Sequence, residues 1–266
     1  MKLFLQCMQC DPADILTHIN FQEVEFNNDG YYEFICPKGH KSYFLLQNLR
    51  FEILFEIGVF AINDGYYREA VASFTAALEN FYTYCIRIFS LKNRVPQEQF
   101  IETWKIISRQ SERQFGAFCF LYLANIGELP IKASEDDKIR QFRNKVIHQG
   151  YIPNKEEALK YGEVVFDFIN QILIILSEHF KDQMQEFILE HLNTINKKIK
   201  EKNIPFATMS IGTLISTTVG DIHRYDKILF KDAIKTHIEY KKREEAHYNS
   251  ISKIKKTYKH LTFYNK

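Results

Sequence analysis

Residues 134–161 read SEDDKIRQFRNKVIHQGYIPNKEEALKY, and the fold is decided there. Ser134 is a favoured helix cap, and Glu135, Asp136 and Asp137 behind it suit the positive end of a helix dipole. Ile139, Phe142 and Val146 recur at three- to four-residue spacing, so they share one apolar face. Gln149-Gly150-Tyr151-Ile152-Pro153 then breaks the helix, since Gly tolerates positive φ and Pro cannot continue the hydrogen-bond ladder. Asn154 and Glu157 have the spacing of a capping box and open the next helix. Its stripe is Ala158, Tyr161, Val165, Phe168, Ile172 and Ile175. Helices joined by so short a loop favour antiparallel neighbours, hence an up-and-down bundle.

The same period extends toward the N-terminus. From Tyr43 onward the apolar spacing is that of helices, with Leu46, Leu49, Ile53, Ile57 and Phe60 as a first stripe ended by Asn63-Asp64-Gly65. Val71, Phe74, Leu78, Phe81, Cys85 and Ile88 form a second. A third helical region starts after Pro96 and runs, with a break near Ser111, to about Gly127. Residues 43–180 are therefore one helical bundle, with Cys85 and Cys119 among apolar neighbours as core residues.

Residues 1–42 have a different character. Cys7-Met-Gln-Cys10 places two thiols on one side of a tight turn, and Cys36-Pro-Lys-Gly-His40 uses Pro37 and Gly39 to turn a thiol and an imidazole together. The segments INFQEVEF and YYEFIC between them, joined by Asn28-Asp29-Gly30, read as a β-hairpin. Two ligand pairs around a hairpin resemble a zinc ribbon with Cys7, Cys10, Cys36 and His40 as ligands. Four protein ligands leave no open position, so such a zinc is structural.

Residues 181–266 form a C-terminal extension. Gln183 to Glu201 reads as a helix, IPFATMSIGTLISTTVGDI as a buried helix or a strand pair, and the lysine-rich end as an amphipathic helix with Ile251, Ile254, Tyr258 and Leu261 on one side. Such a basic helix can hold RNA backbone or simply present a solvated face.

The composition is that of a soluble globular chain, 45% hydrophobic and 26% charged, and a net charge of +2 does not by itself argue for nucleic acid. The first residues lack the pattern of a signal peptide, and the most apolar run, Phe166 to Leu176, is broken by Asp167, Asn170 and Gln171. A reducing cytoplasm is the expected compartment, with no membrane association. No Gly-rich phosphate loop, metalloprotease helix or nucleophile elbow is present.

The segment Arg143-Asn144-Lys145-Val146-Ile147-His148 closely resembles the signature of HEPN domains, where Arg-x4–6-His ends one helix and a Gly/Pro loop leads into the last. Among ten arginines and nine histidines only this pair has that spacing, and its flanks match as well. The resemblance implies a mainly α, antiparallel HEPN bundle and a metal-independent endoribonuclease. In that reading Arg143 grips the phosphate, His148 transfers protons and Asn144 orients its neighbours. Glu79 stands where many members keep an acidic residue, and a site role or a solvated helix position are both open to it.

The chemistry suits these residue types. Attack of a ribose 2′-OH on its own 3′-phosphate needs a proton acceptor, an acid for the leaving oxygen and a cation for the charge on phosphorus. Imidazole can fill the first two roles, and guanidinium the third with a fork that fits phosphate oxygens. Positions five apart on a helix point about 140° apart, so Arg143 and His148 converge only if the helix end frays or a second copy brings them together. In HEPN ribonucleases two copies of the motif meet across a dimer interface, so for a chain with one copy the resemblance implies a homodimer. The family also implies a toxin or anti-phage role with an antitoxin or defence-complex partner. The alternative is a catalytically silent HEPN dimer that scaffolds RNA or protein.

Overall fold

A computed structural model describes residues 2–10, 21–201, 203–218, 220–222, 224 and 228–261, with side chains of residues 2, 21 and 252–261 excepted. Among the described residues the chain is mainly helical, with a small β region toward the N-terminus. It divides into two compact units. The first comprises residues 1–47, 189–211 and 236–266, and the second residues 48–188 and 212–235.

In the first unit, β1 (Lys2–Gln6) pairs antiparallel with β2 (Phe21–Glu25), Lys2 opposite Glu25. A separate sheet has the order β3 (Tyr31–Ile35), β4 (Lys41–Leu46), β5 (Phe206–Met209). β3 and β4 are antiparallel with Tyr31 opposite Leu45, and β4 and β5 are parallel with Tyr43 opposite Phe206. The expected hairpin between INFQEVEF and YYEFIC is thus not formed: its two strands belong to different sheets, and Ile19 and Asn20 lie outside the described residues. The turn between them does exist. Asn27 Oδ1 accepts from the amides of Asp29 and Gly30, and Gly30 has φ +74°. A Cβ on Gly30 would also come within 3.0 Å of Ile195. Ile195 belongs to α7 (Lys181–Lys198), and with Ile199 it packs on Tyr43 and Leu45 to form the core of this sheet.

The second unit is built on α1 (Arg50–Asp64), α2 (Tyr67–Lys92), α3 (Gln97–Ile107), α4 (Ser111–Ile126), α5 (Ala133–His148) and α6 (Lys155–His179). α2 is the central helix and packs against α1, α4, α5 and α6. Its stripe from Val71 to Ile88 is buried as its spacing predicts. Gly65 ends α1 with φ +83°, where Tyr66 N–H reaches Ala61 O and Gly65 N–H reaches Ile62 O, a Schellman closure. Asn154 and Glu157 form the predicted capping box of α6.

Several expectations change. Tyr43 and Leu46 lie in β4, so the helices begin at Arg50 and not at Tyr43. The buried face of α1 is Phe51, Phe55, Val59 and Ile62, while Ile57 is exposed. The reason is that Glu52 and Glu56 share that buried face, which disguises its apolar period. Ser134 is not the cap of α5, because the amides of Glu135 and Asp136 turn back to Lys132 O and the helix opens at Ala133. Residues 204–218 and 220–222 contribute the strand β5 and an irregular stretch instead of a helix or a strand pair. Residues 181–266 do not stay together but are shared between the two units. α8 (Phe230–Leu261) covers the predicted amphipathic end; Ile251 is half-buried, and the side chains of Ile254, Tyr258 and Leu261 lie outside those described. No helix among the described residues is long and apolar enough to cross a membrane.

Candidate active site and metal centre

Three helices of the second unit bring Arg143, Asn144 and Glu79 together. α2 supplies Glu79 on the flank of its buried stripe, α5 supplies Arg143 and Asn144, and the start of α4 supplies Ser111 and Glu112. Arg143 Nη2 donates to Glu79 Oε1 at 2.6 Å and to Ser111 Oγ at 3.3 Å. Arg143 Nη1 lies 3.4 Å from Asn144 Oδ1 and 3.7 Å from Glu112 Oε1. The Arg143 side chain is only 18% exposed, and its Nε is buried with no hydrogen-bond partner. Glu112 is held below the ordinary carboxylate value, first by its own amide at the helix start and also by Arg143.

Arg143, Glu79, Ser111 and Glu112 edge a cleft of about 160 Å³ that also includes Thr75 and Tyr161. The hydroxyls of Thr75 and Tyr161 are hydrogen-bonded at 2.8 Å, and burial pushes the Tyr161 phenol up to about 12. The uncommitted N–H is closed off from solvent, so an oxyanion reaches this guanidinium only at the terminal nitrogens that Glu79, Ser111 and Glu112 now share. From sequence, Ser111, Glu112, Thr75 and Tyr161 have no site role: Tyr161 reads as one of the apolar stripe and Ser111 as a helix break. Glu112 and Ser111 carry the signal of a helix start, but nothing local to them points at Arg143.

His148 is not part of this cleft. It is exposed at the last position of α5, and no hydrogen bond among the described residues joins it to Arg143, Asn144 or Glu79. The helix end there does not fray. Gly150 takes φ +73°, Tyr151 N–H returns to Lys145 O at 3.2 Å, and the Lys145 ammonium sits 3.5 Å from the Tyr151 ring centroid. Tyr151 OH in turn donates to Glu157 Oε1 at 2.8 Å, tying the loop to the start of α6.

In the first unit Cys7 and Cys10 follow β1, while Cys36 and His40 occupy the connection from β3 to β4. Cys36 N–H donates to His40 O, Gly39 N–H donates to Cys36 O, and Gly39 takes φ +82°, the tight turn foreseen in CPKGH. The four ligand atoms all lie within 4.8 Å of one another. Cys10 Sγ is 3.9 Å from Cys36 Sγ and 3.4 Å from His40 Nδ1, and Cys7 Sγ is 3.7 Å from that same Nδ1. Metal–ligand bonds of ~2.3 Å to sulfur and ~2.05 Å to nitrogen give tetrahedral edges of about 3.8 Å between sulfurs and about 3.6 Å from sulfur to nitrogen. The cluster therefore fits a tetrahedral metal ion, and its donor set is compatible with zinc. Burial raises the Cys36 thiol, but the backbone amides of His40 and Lys38 outweigh it and bring the group below its ordinary value. That turn favours a thiolate.

Cys85 is fully buried and its thiol is pushed well up by burial, and Cys119 is pushed up to about 11 by the same cause. Both are packing residues, as their neighbours in sequence indicate. A scan against protein-family models and searches of curated proteins and of solved structures found no match to this chain.

Proposed function

We propose that the helical unit is an antiparallel HEPN-type bundle acting as a metal-independent endoribonuclease. The observation that carries this reading is the meeting of Arg143 and Glu79 in one cleft, with Asn144 Oδ1 3.4 Å from the guanidinium. Arg143 receives the scissile phosphate, and the phosphate oxygens take the place on Nη2 that Glu79 now holds. Asn144, on Nη1, then orients the guanidinium. The ribose 2′-oxygen attacks phosphorus and its proton passes to an imidazole, the P–O5′ bond breaks, and an imidazolium protonates the leaving oxygen. The products are a 2′,3′-cyclic phosphate and a 5′-hydroxyl.

One His148 cannot serve both sides of phosphorus at once, and His148 stands outside the Arg143 cleft of its own chain. A two-fold homodimer supplies the second imidazole and returns both motifs to one composite site. Cys7, Cys10, Cys36 and His40 hold a structural zinc in a ribbon-like module. The biological setting, a toxin or anti-phage effector with an antitoxin or defence-complex partner, follows from the family resemblance alone.

The test is incubation of purified protein with total RNA in EDTA. Cleavage is expected to survive the chelator, to spare DNA of the same sequence, and to fall by about 10²–10⁴ in His148→Ala. Arg143→Lys is expected to be nearly as damaging, because an ammonium keeps the charge and loses the fork. Products with 5′-phosphates would sink the mechanism. A second reading has its own support: Arg143 is already paired with Glu79 and approached by Glu112, as in a structural ion-pair network. A silent scaffold would bind RNA or protein without cutting, and with no dependence on His148.

A further inference from the structure

Beside the Arg143 cleft, α5 and α6 enclose a larger cavity of about 570 Å³, within the size range of small-molecule sites. Its lining is largely apolar and aromatic, with Ile139, Phe142, Tyr161 and Phe168 and the more exposed Val164. The Phe142 and Tyr161 rings lie 5.5 Å apart at 38°. Two exposed cations, Lys138 on α5 and Lys160 on α6, stand at its rim together with Glu135, and Asp167 and Gln171 lie exposed one turn apart on α6. Ile139 and Tyr161 line both this cavity and the Arg143 cleft, so the two adjoin. Phe142 immediately precedes the phosphate-binding Arg143.

An aromatic lining calls for a planar ring, and flanking lysines call for phosphate on either side of it. The polar groups select among planar rings. Glu157 is already committed to the Asn154 amide and the Tyr151 hydroxyl. Asp167 is exposed to the groove, and partial desolvation, then Glu163, raises its carboxyl above the ordinary value. A carboxylate accepts and does not donate. Guanine alone among the RNA bases presents two adjacent donors, N1–H and N2–H, on its Watson–Crick edge. Uracil sets its single N–H between two carbonyls that repel a carboxylate, and adenine and cytosine each set one amino group beside a ring acceptor. The Gln171 amide can donate to guanine O6.

We propose that this cavity is a guanine-binding subsite for the nucleotide next to the phosphate held by Arg143, with Asp167 reading the base edge. The assignment rests on the RNA-cleaving reading above for its place in the reaction, while the binding itself is measured without cleavage.

The experiment is calorimetric titration of the full chain with the 3′-monophosphates of guanosine, adenosine, cytidine and uridine. Guanosine 3′-monophosphate is expected to bind about tenfold or more tightly than the others, since losing a hydrogen bond to a charged group costs roughly that factor. Asp167→Asn is expected to erase the preference. Val164→Trp, which fills the cavity from an exposed position, is expected to abolish binding of all four while the melting curve is unchanged. Equal affinity for the four nucleotides, or guanosine binding untouched in both variants, overturns the subsite. So does loss of self-association in Val164→Trp with nucleotide binding intact, which would make the cavity a seat for a second copy. Cleavage that needs Arg143 and His148 but ignores Asp167 defeats the subsite alone. Asp167-dependent guanosine binding without any RNA cleavage defeats the catalytic reading and leaves the subsite standing.

Discussion

Glu52 shows at the scale of one residue how a carboxylate can be structural and still be read as surface. It is 2% exposed, and its oxygens accept from the amides of Leu49 and Thr217 and from the Thr217 hydroxyl. One turn on, the buried Glu56 accepts from the Leu214 amide. Together they satisfy backbone groups of an irregular stretch, 213–217, which no ladder could satisfy. Burial nevertheless dominates, and lifts Glu52 from 4.5 to about 7 against the hydrogen bonds that lower it. The folded state therefore binds this proton more tightly than the unfolded chain does. Its contribution is fully present below about pH 4.5 and is lost as pH rises through about 7, a change on the order of 3 kcal/mol. Urea titrations across that window are expected to show a falling component of stability in the wild type that disappears in Glu52→Gln. A slope identical in both proteins would mean that Glu52 titrates in the fold as it does in the open chain.

Two elements depend on close approach. Phe74 of α2 stands between Gly58 of α1 and Gly162 of α6, and a Cβ at either glycine would lie 2.5 and 2.7 Å from its ring. Gly58→Ala gains about 1 kcal/mol of helix propensity but overpacks the site by about 1–3 kcal/mol. A net loss in denaturant midpoint is expected; a gain would show that α1 moves away freely. The β3–β4 hairpin depends instead on its ligand turn. About one zinc per chain is expected from metal analysis, and Cys36→Ser is expected to lose it together with amide protection in β3 and β4, while the helical signal persists. Metal-free protein that melts unchanged would refute the site. The reassignment of β2 and β3 to different sheets belongs to this scale too. A turn signal such as Asn28-Asp29-Gly30 states that the chain reverses, but hydrogen-bond pairing is decided by which other strands are near.

For the whole molecule, the proposed composite site requires self-association, because each chain carries one Arg143–His148 motif. Sedimentation at micromolar concentration is expected to give a dimer, and loss of cleavage on dilution is expected to follow the monomer fraction. A monomer that still cuts RNA would contradict a composite site. The chain also enters its units more than once: the β-containing unit takes residues 1–47, 189–211 and 236–266. Linear segmentation at residues 42 and 180 does not describe that division. The parallel pairing of β4 with β5, far apart in sequence, is one cause.

Local chemistry alone determined a good deal here. The helices from Tyr67 onward, the Gly65 and Gly150 helix ends, the Asn154–Glu157 cap and the Cys7, Cys10, Cys36, His40 cluster all rest on short-range periodicity, φ preference or ligand spacing, and each is legible within a few residues. Tertiary structure decided what depends on partners distant in sequence. It set which face of α1 is buried, because Glu52 and Glu56 find their donors some 160 residues away. It joined Glu79 to Arg143 across 64 positions and left His148 outside, since a side chain's direction is local but the group it meets is not. Burial turns on whether a polar group finds a partner, and no window of sequence contains that partner.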